Sequence, residues 1–272
     1  MSLPWSKVVR LRVGPLLACG TLEQGWPRRK VLARASASPG VQDGQSPQSQ
    51  ATPVDALSSA IDAVLTELGK SATMRGARLE VEWANALMHF DVVAGDFAGD
   101  SDRQLQSVAV ACVAELLGDA AEAHETRWQL QADGRHLLIG AIACEHLRLL
   151  SEAAAHHGMT LGGVQPDFCL QWNRHAAALN PGAAVFAVAS EYEAVVTCVA
   201  DGAVAAMGRG AWLDRSQLSG SAGLLDTRVD RLLASVGRDA ASQSAFVLVA
   251  PELTDTNTSS RWTVLNREAP VA

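Results

Sequence analysis

Two stretches of this chain repeat one order of elements, and that repetition limits its fold more than any other feature. Residues 8–83 read as three strands, a helix and a strand, and residues 184–250 read the same way. In the first stretch Val9, Leu11 and Val13 alternate with Arg10 and Arg12, the period of a strand with one buried face. Gly14-Pro15 punctuates it, residues 16–22 form a returning strand, and residues 29–35 form a third. Thr52, Pro53 and Asp55 then signal a helix start, because a hydroxyl cap, a fixed φ and an acid each suit the first turn. Leu57, Ile61, Val64, Leu65 and Leu68 make one apolar stripe, which Gly69 ends. Leu79, Val81 and Trp83 alternate with Glu80 and Glu82 in a fourth strand. In the second stretch residues 184–189 form an apolar strand, and 193–199 and 203–207 form a hairpin through Asp201-Gly202. A helix over 218–236 carries Leu224, Leu225, Val229, Leu232, Leu233 and Val236, and the strand 245–250 ends at Pro251. The two copies share a pattern and not a sequence.

Between the copies, residues 85–166 read as strand, helix, two strands, helix and strand, a small α+β subdomain inserted into the chain. Residues 36–52, rich in Ser, Gln, Gly and Pro, read as a flexible loop that cannot offset its ordering entropy by burial. The expected division is a first lobe of residues 1–35 plus 53–84, the loop 36–52, the insert 85–166, a second lobe 167–252 and a polar tail 253–272.

Composition narrows the function classes. At 48% hydrophobic the chain of 272 residues has enough apolar material for a core, which excludes a wholly disordered protein. A net charge of -7 opposes general nucleic-acid binding. No apolar run reaches the roughly 20 residues of a spanning helix. Lys7, Arg10, Arg12, Arg28, Arg29, Lys30 and Arg34 face only Glu23 in the first 35 residues, so this basic edge is either a solvated face or a meeting place for an acidic partner or anionic headgroups. Five scattered cysteines without a CxxC suit reduced thiols in a cytoplasm. Leu16-Leu17-Ala18-Cys19-Gly20 resembles a lipoprotein cleavage box, but Arg10 and Arg12 leave an apolar stretch of only about six residues before it, where a signal core has roughly 7–15. The preference for Arg over Lys suits a GC-rich bacterial gene.

Two three-strand meanders, each followed by helix and strand, describe the actin-like, RNase H-like architecture. The middle of the chain narrows the resemblance. Glu145, Leu149-Leu150, Ala153 and Ala155-His156-His157-Gly158-Met159, then Val164 and Pro166-Asp167-Phe168-Cys169-Leu170, resemble the corresponding helix and turn of PilM-like proteins. Val185-Phe186-Ala187-Val188, followed by Val195, Asp201-Gly202 and Gly208-Arg209-Gly210, is similar to that family's second-lobe strand pair. PilM-like and GspL-like proteins are actin-like cytoplasmic components of type IV pilus assembly and type II secretion. The resemblance implies a duplicated actin-like fold, a place at the cytoplasmic side of the inner membrane, and an inner-membrane assembly partner bound through a cytoplasmic peptide.

The chain departs from the actin-like pattern where nucleotide chemistry would sit. Such a site needs an Asp-x-Gly turn in the first hairpin, which places an acid near Mg²⁺ and amides around phosphate. Here the sequence is Arg12-Val13-Gly14, and Pro15 removes a donor. In the second lobe the equivalent is Ala187-Val188-Ala189 or Ala189-Ser190-Glu191, and the adenosine-side glycines are at best Gly208 and Gly210. Arg12, Gly14, Gly208 and Gly210 are therefore the candidate cofactor-binding residues of a degenerate site. The expectation is a scaffold that is not an enzyme, with no cofactor and with Mg·ATP disfavoured. The alternatives are an actin-like sugar kinase or ATPase with divergent phosphate loops, and a periplasmic lipoprotein cut before Cys19.

Other constellations carry less. Cys144 and His146, with His156 and His157, are not spaced to share a helix face, so no metal is expected there. Asp91, Asp96, Asp100 and Asp102 read as a solvated loop. The seven tryptophans read mainly as core, with Trp5 and Trp26 as partner anchors if they are exposed.

Overall fold

The computed structural model describes residues 7–25, 29–39, 53–175, 179, 183–190, 193–211, 222–243, 245–250 and 261–266. The chain forms two compact units, Met1–Leu87 with Ile142–Asp167, and Met88–Ala141 with Phe168–Ala272.

The first unit is built on a five-stranded sheet. Strands β1 (Lys7–Val13), β2 (Ala18–Gln24) and β3 (Lys30–Ala37) form an antiparallel meander. Helix α1 (Pro53–Ser71) leads to β4 (Arg78–Trp83), which pairs parallel to β1 with Val9 beside Leu79 and Leu11 beside Val81. After helix α3 (Cys144–His156), strand β8 (Thr160–Pro166) adds parallel to β4, giving the order β3-β2-β1-β4-β8. The alternating residues of β1 and β4 put Val9, Leu11, Val13, Leu79 and Trp83 inside, all at 1% exposure or less. Helix α1 buries Leu57, Ala60, Ile61, Val64, Leu65 and Leu68, and each fully buried aliphatic side chain contributes about 1.5–3 kcal/mol. A Cβ at Gly20 of β2 would lie 2.8 Å from Val64 Cγ1 and 3.0 Å from Leu68 Cδ1, so glycine lets this helix close on the sheet.

The second unit repeats the plan. Strands β9 (Ala184–Ala189), β10 (Glu193–Ala200) and β11 (Ala203–Ala211), helix α5 (Ala222–Ser235), β12 (Ala245–Ala250) and β13 (Thr263–Asn266) form a sheet ordered β11-β10-β9-β12-β13. Position by position this is the order of the first sheet. Asp201 at φ 50 and Gly202 at φ 76 make the left-handed turn between β10 and β11 that a two-residue hairpin requires. One face of the sheet packs on Leu225, Val229 and Leu233 of α5 and on Trp262. The other packs on Phe168 of helix α4 (Asp167–His175) and on Leu138 and Phe90 from the middle of the chain. Burial on both faces explains why β9 and β10 read as continuous apolar runs with little alternation.

The middle segment is divided where one inserted block was expected. Strands β5 (His89–Ala94), β6 (His124–Leu130) and β7 (His136–Ala143) form a sheet ordered β5-β7-β6, covered by α2 (Asp102–Leu117). Ser101 and Gln104 form a capping box at the start of α2, and Leu105, Ala109 and Val113 pack on Leu137, Ile139 and Ala141. This module belongs with the second unit, where Gln131 Oε1 accepts from the Val204 N–H at 3.2 Å. Helix α3 and β8, expected inside the insert 85–166, belong instead to the first unit, because β8 satisfies its backbone on β4. The polar tail 253–272 also needs correction. Trp262 is buried and β13 pairs with β12. The loop assigned to residues 36–52 lies outside the described residues from residue 40 onward, as does the expected cap Thr52, and residues 36 and 37 complete β3.

Cleavage before Cys19 would remove β1, the central strand of the first sheet, and Cys19 itself pairs with Arg12 and Ser36 inside that sheet. No described helix is long and apolar enough to cross a membrane.

Candidate functional site

Open α/β sheets take ligands at the carboxyl ends of their parallel strands. In the first unit those ends are Val13, Trp83 and Pro166. The turn after β1 is closed by the Gly14 N–H donating to the Leu17 carbonyl at 2.9 Å, and the Ala84 N–H donates to the Val13 carbonyl at 2.9 Å. Pro15 has no N–H. The turn thus offers neither a carboxylate for a metal nor the amides of residues 14 and 15 for a phosphate. Arg12, one of the candidate ligands, lies on β1 beside its register partner Glu82, with Nε 3.2 Å from Oε1. Its guanidinium belongs to a charged ladder on this sheet face, in which Arg10 pairs with Glu23 and Glu80, and Arg29 also reaches Glu23. Three of the seven basic residues of the N-terminal edge, Arg10, Arg12 and Arg29, are therefore matched by glutamates.

Sequence reasoning did not single out two residues at this end as site residues. Asn85 and Asp167 are 2% and 1% exposed, and the Asn85 amide donates to Asp167 Oδ2 at 3.5 Å. Asp167 opens α4, where the first-turn N–H groups favour a carboxylate. The signal was present: an acid directly after a strand and Pro166, at a helix start. A buried carboxylate in this position can accept from a ligand hydroxyl or face a cation. Beside it, Trp83 donates its indole N–H to the Leu87 carbonyl at 3.3 Å, and its ring centroid lies 5.2 Å from that of His146.

In the second unit the turn after β9 begins at Ser190, whose N–H donates to the Glu193 carbonyl at 2.8 Å, while the Glu193 N–H donates to Ser190 Oγ at 3.2 Å. Ala187, Val188 and Ala189 are buried strand residues, and Glu191 and Tyr192 lie outside the described residues. Glu193 is 4% exposed, with Oε2 3.4 Å from Arg209 Nε. Arg228 of α5 donates to the Gly210 carbonyl. Burial holds the Arg228 guanidinium below its usual value against the pull of Glu193, and Arg231 adds to the lowering. Gly208 and Gly210 were expected in a turn approaching adenosine. They lie instead within β11, paired with Val196 and Ala194. A Cβ at Gly210 would meet the Arg228 guanidinium at 2.3 Å, and one at Gly208 would lie 3.6 Å from Leu232, so these glycines give α5 room to approach the sheet. Arg12 and Gly14 fall in the first unit, and Gly208 and Gly210 in the second.

The remaining constellations separate. Cys144 is exposed and His146 lies against Trp83, whereas His156 and His157 stand at the far end of α3 beside Asp62. Asp102 occupies the first turn of α2, and the carboxylate of Asp91 accepts from the Val92 N–H. Trp83 and Trp262 are core and Trp172 stacks on Phe168, while Trp5, Trp26 and Trp212 lie outside the described residues.

No protein-family model and no curated protein matches the chain. Solved structures do. The PilM–PilN type IV pilus biogenesis complex matches at a TM-score of 0.67 and 10% identity, over 97% of this chain and 89% of that one. The cytoplasmic domain of EpsL, an inner membrane component of the type II secretion system of Vibrio cholerae, matches at 0.54 and 12%, over 96% and 90%. A Bacteroides thetaiotaomicron protein with an actin-like ATPase fold and unknown function matches at 0.53 and 8%, over 93% and 84%. With two five-stranded sheets of identical strand order and these likenesses spanning nearly its whole length, the chain has the actin-like fold.

Proposed function

We propose that this chain is a non-catalytic actin-like scaffold of a type IV pilus or type II secretion inner-membrane platform, held at the cytoplasmic side of the membrane by a partner's cytoplasmic peptide. The observation that carries the reading is the turn after β1. It holds Gly14 and Pro15 where a metal-nucleotide site needs an acid and two amides, and its neighbour Arg12 is engaged by Glu82. The likeness to PilM and EpsL supplies the platform, and no nucleotide, metal ion or nucleic acid is part of the proposal. A second reading, an actin-like kinase or ATPase with divergent loops, draws its support from the buried Asp167 and Asn85 at the ends of β8 and β4.

Titration calorimetry separates the two. The full chain is titrated with Mg·ATP, and separately with the cytoplasmic peptides of single-pass inner-membrane proteins encoded beside it. Saturable binding of one peptide without phosphate release supports the scaffold. Micromolar Mg·ATP affinity with turnover, abolished in Asp167→Asn, establishes the second reading and removes the first.

A further inference from the structure

We propose that the junction of α1 and α3 is a binding site for a divalent transition-metal ion, with Asp62, His156 and His157 as its protein ligands. Asp62 lies ninety-five residues before His157 in the chain, yet one carboxylate oxygen and two imidazole nitrogens from these three residues lie within 4.8 Å of one another. Asp62 Oδ1 is 2.9 Å from His157 Nε2 and 3.8 Å from His156 Nδ1. Zinc bonds to nitrogen and oxygen run about 2.0–2.2 Å, so two ligand atoms on a tetrahedral ion stand roughly 3.3 Å apart. The two separations from Asp62 bracket that value, and the two imidazole rings, stacked with centroids 5.0 Å apart, would turn about their side-chain bonds to aim both nitrogens at one centre.

Both supporting elements are rigid. Asp62 follows Ile61 and precedes Val64 and Leu65, which anchor α1 in the core at 1% exposure or less. On the other side Leu150 and Ala154 bury α3, and Gly158 at φ 67 ends it with its N–H donating to the Ala155 carbonyl at 3.0 Å. The Gly76 N–H then fixes the Gly158 carbonyl at 2.8 Å. A site on packed helices holds its donors better than one on loops. The carbonyls at the end of α3 add partial negative charge where the ion would sit.

Two imidazoles and one carboxylate suit zinc, cobalt, nickel or copper rather than calcium or magnesium, which favour all-oxygen shells. Three protein ligands leave a fourth position for water or for a donor from a partner. Binding requires both imidazoles neutral at the ligating nitrogen. An ion at this position replaces the direct contact between His157 Nε2 and Asp62 Oδ1, and any proton on a ligating nitrogen is released as the ion binds.

The test titrates tag-free full-length protein with Zn²⁺ and, separately, with Co²⁺ followed by visible absorption. The expected result is one saturable site, with affinity reduced at least about tenfold in each of Asp62→Asn, His156→Gln and His157→Gln. The cobalt band should vanish in the triple variant. His156 has a side chain 75% exposed, so its replacement tests ligation without threatening the fold. Absence of saturable binding in the wild type overturns the proposal. So does undiminished affinity in the variants, which would place the ion on other residues.

Discussion

Gly20 is the place where the packing of the first unit can be tested most sharply. Gly20→Ala places a methyl 2.8 Å from Val64 Cγ1 and 3.0 Å from Leu68 Cδ1, with the Arg10 carbonyl at 3.5 Å. Overpacking of this kind costs about 1–3 kcal/mol, and replacing a strand glycine returns roughly 0.5–1 kcal/mol by restricting the unfolded chain. The net expectation is a loss near 1 kcal/mol. With a urea slope of about 2 kcal/mol/M, that lowers the unfolding midpoint by about 0.5 M. The decisive measurement is the cycle with Val64→Ala. That change alone destabilises, because it removes two methyl groups from a side chain that is 1% exposed. It also removes the nearest colliding atom, so Gly20→Ala in its background costs at least about 0.5 kcal/mol less. Additive costs, or a stabilising Gly20→Ala in the wild type, would refute the placement of α1 over β2.

Three further outcomes are expected. Trp262→Ala should cost about 3–5 kcal/mol in urea unfolding, because the ring is buried and its N–H donates to Asp226 Oδ1 at 2.7 Å; a change below 1 kcal/mol would mean that Trp262 does not pack in the core with α5. Burial pushes the Asp133 carboxyl up, but the N–H groups of Arg135 and His136 and the His136 ring more than offset it, so its value lies below the usual 3.8. Its contribution is therefore fully present above that ordinary value and lost as pH falls through the lower folded one, and acid unfolding of Asp133→Asn should begin from a less stable state with a shallower dependence on pH in that range. Among the thiols, Cys144 is exposed and Cys198 is buried with its thiol pushed up by burial against the pull of Arg238, so a thiol reagent should modify Cys144 in native protein and Cys198 only on unfolding, read by peptide mass.

Local periodicity carried the repeated plan because each copy buries one apolar stripe of a helix on one face of a sheet. Val9, Leu11 and Val13 could be read from their alternation alone, and Leu57 to Leu68 from their helical spacing. The same rule failed at Thr263–Asn266, a four-residue strand too short to show a period, and at residues 208–211, where two glycines in sequence look like a turn. Only the approach of α5, with Arg228 over Gly210 and Leu232 near Gly208, explains why glycine stands inside that strand.

Chemistry followed the same division. The absence of an acid at Arg12-Val13-Gly14 is a property of the sequence, since no folding supplies a missing carboxylate. The buried Asn85–Asp167 pair and the meeting of Asp62 with His156 and His157 join residues far apart along the chain, and nothing local encodes their distance. Strand order decided both. Once β8 pairs with β4, the residue after β8 comes to the end of β4, and α3, which leads into β8, comes to lie against α1.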